Sequence, residues 1–220
     1  MTGFKKTLVA AILTLGLAGC AEGPLLTWQP ETDAERDMRL ATERLQRAAG
    51  EGAAFGTLGG SLIGALTGGL QGALSGAEIG RFAGAGAGTY ISSLQEQYAT
   101  REEVLDQVLS DLKAANAEIE ASIATMQRLL VERQGVLRTA RAQADATKRN
   151  QEETRGERNL GEMRKAVEAA EGQVEFFGAA RTALAQSNPA ANSAINPQLA
   201  LMQERIKAMK NIANTLAADL

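Results

Sequence analysis

Apolar residues recur at helical spacing along most of this chain. Met38, Ala41, Leu45 and Ala48 fall three or four residues apart and predict a short amphipathic helix over 33–49. Thr32-Asp33-Ala34-Glu35 in front of it fits a capping box, in which a hydroxyl and a carboxylate satisfy free backbone N–H groups. Further on, a heptad register runs through Tyr98, Leu105, Val108, Leu112, Ala115, Ile119, Met126, Leu129, Val136 and Ala140. It is interrupted by Arg101, Ser122, Arg133, Gln143 and Thr147. Apolar residues at this spacing form a seam for another helix. Positions 89–134 hold neither Pro nor Gly, so a long helix is predicted here, with Thr100-x-x-Glu103 as a candidate break. Residues 145–165 carry eleven charges of both signs plus Gly156 and Gly161, and read as a turn or a solvated stretch. Met163, Val167, Ala170, Val174 and Phe177 restart the stripe. Residues 187–197 hold two prolines among small polar residues and read as a loop, with Asn196 and Pro197 as N-cap and first turn of a last helix. That helix carries Met202, Ile206, Met209, Ala213 and Leu216. The simplest arrangement folds 162–186 and 198–219 back on the long helix as an antiparallel coiled-coil bundle.

Between the first helix and this bundle the pattern changes. Gly occurs at Gly52, Gly56, Gly60, Gly64, Gly68, Gly72, Gly76, Gly80, Gly84 and Gly88, an unbroken period of four. On a helix of 3.6 residues per turn such a period marks one slowly drifting face. Between Gly52 and Leu94 the only charges are Glu78 and Arg81, three apart and able to pair. A glycine face lets another helix backbone approach closely, as in membrane helix pairs. Each glycine in a water-exposed helix interior costs about 1 kcal/mol relative to Ala, so a solitary helix of this kind is disfavoured. A flexible linker favours Gly and Ser without period, and the interleaved Leu58, Leu62, Ile63, Leu66, Leu70, Leu74, Ile79 and Phe82 also speak against one.

Composition narrows the function classes. The chain has 220 residues, with 45% hydrophobic but only 4% aromatic, which suits a thin helical core. The formal charge of −3, without a clustered basic surface, gives no footprint for nucleic acid. There is no His and one Cys. A Ser-His-Asp or Cys-His site cannot be built, nor a His-containing or multi-Cys zinc site. Ser110-Asp111-Leu112-Lys113 matches S-x-x-K, but the accompanying S-D-N and K-T-G elements are missing, so it reads as part of a coiled-coil helix. The glycine run holds no G-K-[ST] and follows no strand, so it is no phosphate-binding loop. The expectation is a protein that is no enzyme, with no cofactor and no small-molecule substrate.

The first twenty residues have the organisation of a secretory signal. Lys5 and Lys6 precede an uncharged, mostly apolar run over 7–17, and Ala18 and Gly19 lead to Cys20. The run is too short to span a bilayer. Leu17-Ala18-Gly19-Cys20 resembles the bacterial lipobox. That resemblance implies cleavage after Gly19, a diacylglycerol thioether on Cys20 and an acylated new N-terminus. More than one acyl chain suffices for stable anchoring. Ala21 in place of Asp implies, by family-level analogy, sorting to the outer membrane.

The stretch GAAFGTLGGSLIGALTGGLQGALSGAEIGRFAGAGAGTY resembles the glycine-zipper families of bacterial envelope proteins, including the OmpA-associated type. The resemblance implies two Gly-rich helices joined by a turn near Thr67–Gly72, with arms over 51–67 and 72–91. Arms of this length lie near the lower limit for a membrane span, and Glu78 and Arg81 are costly at mid-depth unless they face protein or water. The full expectation is an all-α chain, a Gly-rich helical hairpin plus a long antiparallel coiled-coil helical bundle. Its parts are a signal peptide over 1–19, lipidated Cys20 and tether over 20–31, a short helix over 32–50, the zipper over 51–91 and the bundle over 92–220. The hairpin would mediate membrane association or oligomerisation. The coiled coil would bind a second copy or an envelope protein partner. The alternative is a soluble periplasmic adaptor lipoprotein of a transport or secretion complex, its hairpin not inserted.

Overall fold

Capping residues set the helix starts. The computed structural model describes residues 30–50, 76–143 and 145–220. Among these, five α-helices and no strand occur: α1 Asp33–Gly50, α2 Gly76–Gln97, α3 Arg101–Ala142, α4 Ala146–Ala185 and α5 Ala190–Ala218. The all-α expectation holds. The Thr32 hydroxyl accepts from the Glu35 N–H at 3.2 Å, and the Thr32 N–H donates to Glu35 Oε2 at 2.9 Å, closing the box ahead of α1. Thr100 and Glu103 repeat it at 3.2 and 3.0 Å, so the chain breaks at 98–100 and α2 and α3 are separate helices.

Two sequence readings are corrected. Residues 145–165 are neither a turn nor a fully solvated stretch. Helix α3 ends at Ala142, and Asp145 Oδ1 accepts from the Thr147 and Lys148 N–H groups at 2.9 and 3.1 Å to start α4 at Ala146. Gly156, Leu160, Met163, Val167, Ala170 and Phe177 continue one apolar seam from there, and the charges flank it. Gly156 belongs to the seam because the tip of Leu220 occupies the space a Cβ would need. The loop over 187–197 is also shorter. Helix α5 begins at Ala190 with Pro189 at its N-cap, and the Asn188 side-chain oxygen just before it accepts from the Ala190 N–H at 3.2 Å. Pro197 therefore lies inside α5 and is not its first turn. Fully buried Ala191 and Ile195 hold the extra turns in place although Pro197 offers no N–H to the carbonyl four residues back.

Helix α4 runs antiparallel to both α3 and α5, while α3 and α5 lie parallel, as the Asn116–Gln198 and Gln134–Asp219 hydrogen bonds require, with Leu112, Ile119, Met126, Met163, Ala170, Met202 and Met209 fully buried among the three. Helix α1 lies over the α3–α4 face. It runs antiparallel to α3, as the Asp37–Arg128 and Arg44–Glu118 pairs at 3.0 Å require. Helix α2 lies mainly on α4 and touches α3 near Asp111.

Gly161 and Gly178 stand in the interior of α4, where an added Cβ would meet nothing within 4 Å. Gly161→Ala and Gly178→Ala should each stabilise the fold by about 0.5–1 kcal/mol, read as a higher midpoint in urea unfolding. A lowered midpoint would show that these positions face a contact outside the bundle.

Candidate assembly site

The residues singled out from the sequence fall unevenly on the structure. Cys20 and the glycines Gly52, Gly56, Gly60, Gly64, Gly68 and Gly72 lie outside the described residues, as does the first arm over 51–67. Gly76, Gly80, Gly84 and Gly88 lie in α2, which extends to Gln97, past the 72–91 arm. A period of four drifts by about 40° per step on an ideal helix, so Gly88 stands roughly 120° round from Gly76. At Gly88 an added Cβ would meet nothing within 4 Å. Of the two α2 glycines whose surroundings are described, the one approached by a neighbour is Gly86, off the period, whose Cβ would lie 3.8 Å from the Phe176 ring.

Helix α2 is seated by other residues. Ala87, Tyr90, Ile91 and Leu94 recur at three and four and are all buried. The Tyr90 ring packs on Phe176 of α4 with centroids 5.4 Å apart, and Phe176 meets Phe177 edge-on at 5.3 Å. The Tyr90 hydroxyl donates to Asp111 Oδ2 of α3 at 2.5 Å. Gln107 donates to the other Asp111 oxygen at 2.7 Å, and Tyr98 donates to Gln107 at 3.0 Å. Burial pushes the Asp111 carboxyl up to about 6, against the two hydrogen bonds that favour its ionised form. Burial, then the neighbouring Asp111, raises the Tyr90 phenol far above its ordinary value. Asp111 was met in the sequence only as part of a discounted motif.

Helix α1 is held by a second polar cluster, and sequence reasoning missed it. Arg155 of α4 forks onto Glu35, its Nε donating to Oε1 at 2.6 Å and its Nη2 to Oε2. Asn159, one turn on, donates to Glu35 Oε1 at 2.8 Å. Arg133 of α3 is only 1% exposed and pairs with Glu152, with Glu35 at 3.8 Å. Burial alone would raise the Glu35 carboxyl; Arg155, Asn159 and the Thr32 N–H outweigh it and hold the group down to about 2. The signal was present: Arg133 interrupts an apolar seam at a core position.

An open groove of about 280 Å³ runs between α4 and α5, lined by Arg164, Glu168, Glu171, Lys210 and Asn214. Lys210 and Glu171 pair there at 2.5 Å. Among the described residues no group of three or more acidic, Cys or His side chains is placed to hold a metal ion, and no helix is long and apolar enough to cross a membrane.

The fold and this surface define an all-α bundle that carries a glycine-rich helix on one face. Residues 3–92 match the YMGG-like Gly-zipper family, which supports a glycine-zipper segment of the membrane- or envelope-associated kind. No curated protein and no solved structure matches the chain.

Proposed function

We propose that this is a lipid-anchored cell-envelope protein with a structural, non-catalytic role. Cys20 carries the lipid at the outer membrane, and the chain faces the periplasm. The glycine-zipper segment mediates membrane association or self-association, and the bundle binds a second copy or an envelope protein partner. The observation that carries this reading is the unbroken glycine period from Gly52 to Gly88, lying inside the segment that matches the zipper family. The open space at Gly88 supports it, since an added Cβ there would meet nothing within 4 Å among the described residues.

Replacing Gly64 and Gly76 with Leu should abolish cross-linked oligomers, because a branched side chain blocks close backbone approach. Cross-linking ladders unchanged in this double variant would count against the zipper as an assembly element. The second reading is a periplasmic adaptor lipoprotein whose zipper stays on its own bundle. The buried contacts of Ala87, Tyr90, Ile91 and Leu94 favour it. Alkaline-carbonate extraction of Cys20→Ala separates the two: membrane retention supports insertion, and release supports the adaptor.

A further inference from the structure

The two polar clusters that hold α1 and α2 are built differently. At α1 a buried carboxylate meets a guanidinium fork and an amide, so its charge is compensated. At α2 the buried carboxylate is Asp111, 2% exposed, and its partners are the Tyr90 hydroxyl and the Gln107 amide. Among the described residues no Lys or Arg pairs with it, and the facing elements bring no charge into contact with it. Helix α2 presents Tyr90, with Tyr98 just beyond its end reaching Asp111 through Gln107. Helix α4 presents Phe176 to the same tyrosine, and its nearby charges are Glu175, exposed, and Arg181, turned to Asn196 of α5. Helix α5 carries no charged residue from Ala190 to Gln203. On α3 itself, Asp106 and Lys113 are exposed.

A second uncompensated group lies on the face of α4 that carries Phe176. Gln173, one turn earlier and 1% exposed, has neither amide atom hydrogen-bonded. A buried polar group without a partner weakens whatever contact buries it.

We propose that Asp111 is a proton-operated latch for α2. With the carboxyl neutral, the Tyr90 end of α2 is held on α3 and α4. With it ionised, a charge without a cation is enclosed, and α2 leaves its seat more often while α1 and α3–α5 stay folded together. The direction follows from linkage. The seated carboxyl holds its proton up to about pH 6, whereas a released one titrates near 3.8. Seating is therefore strongest below about pH 4 and is lost progressively as pH rises through 6. The latch stands whatever the zipper itself engages.

Hydrogen exchange on the full chain tests this, with rates corrected for intrinsic pH dependence. The opening constant of amides 87–97 should rise by roughly one to two orders of magnitude between pH 4 and pH 7. Amides of α5 should show no such change. Asp111→Asn, a neutral isostere, should flatten the dependence and keep α2 protected at pH 7. Tyr90→Phe keeps the ring stack and removes the hydroxyl donor, so it should open α2 further at pH 7 and little at pH 4. A flat wild-type profile, an unchanged slope in Asp111→Asn, or parallel loss in α5 would overturn the latch.

Discussion

Arg155→Ala should lower the stability of the folded chain at pH 7 by about 3–5 kcal/mol, the loss typical of breaking a buried ion pair from one side. Arg155 supplies both prongs of the fork on Glu35, and both groups are largely shielded from water. Without it, Glu35 keeps Asn159, the Thr32 N–H and Arg133 at 3.8 Å, which do not replace a bidentate guanidinium. The pH dependence distinguishes this from lost packing. In the native chain Glu35 titrates near 2 against an ordinary 4.5. Its contribution is thus complete above about pH 4.5 and fades as pH falls toward 2. In the variant Glu35 takes up a proton more readily and sheds its buried charge, so the deficit should shrink by half or more at pH 3. Glu35→Gln combined with Arg155→Met should recover most of the loss, since the amide keeps the capping box and Met fills the apolar space. Urea unfolding followed by helicity reads all three. A deficit under 1 kcal/mol at pH 7 would place the pair with exposed ion pairs, and the clamp on α1 would have to be apolar.

The helices were legible where one physical signal dominated. The stripe from Met38 to Leu45 and the two Thr-x-x-Glu boxes act within a few residues, and α1 and the start of α3 follow from them. The seam of α4 was hidden because its first positions are Gly156 and Leu160 amid eleven charges, and glycine reads as a break when its reason is a distant residue, Leu220. Pro197 misled for the same reason. The burial of Ala191 and Ile195 between other helices outweighs a missing N–H, and that burial is a tertiary fact.

The polar clusters were less legible still. Glu35 and Arg155 are 120 residues apart, and each stands among charges that on a lone helix would simply be solvated. Only the crossing of α1 over α4 turns two such charges inward. Asp111 is similar, since its environment is set by Tyr90 arriving from the helix before the break at 98–100. The glycine period was plain in the sequence, but its drift on an ideal helix carries Gly88 away from the face that seats α2.

Phe176→Ala should release α2 without unfolding the rest. The ring is the platform on which Tyr90 packs, it lies against the Gly86 backbone, and it is buried at the contact between α2 and α4. Replacing a buried Phe by Ala costs about 3–5 kcal/mol when the neighbours cannot close the gap. Two features keep them from closing it here. The Tyr90 hydroxyl is tied to Asp111 at 2.5 Å, and Phe177 is itself enclosed in the core at 1% exposed. Amides 87–97 should therefore lose protection by roughly two to three orders of magnitude, at about 1.4 kcal/mol per factor of ten. Amides of α5 should keep theirs. Phe177→Ala makes the contrasting case: both rings belong to one core cluster, but Phe177 is 1% exposed and is not the ring on which Tyr90 packs, so its loss should lower protection in α3, α4 and α5 together. Equal losses for the two variants would mean that α2 is an integral layer of the bundle. Distinct patterns would divide the chain, between adjacent phenylalanines of α4, into a stable bundle and a detachable helix bearing the glycines.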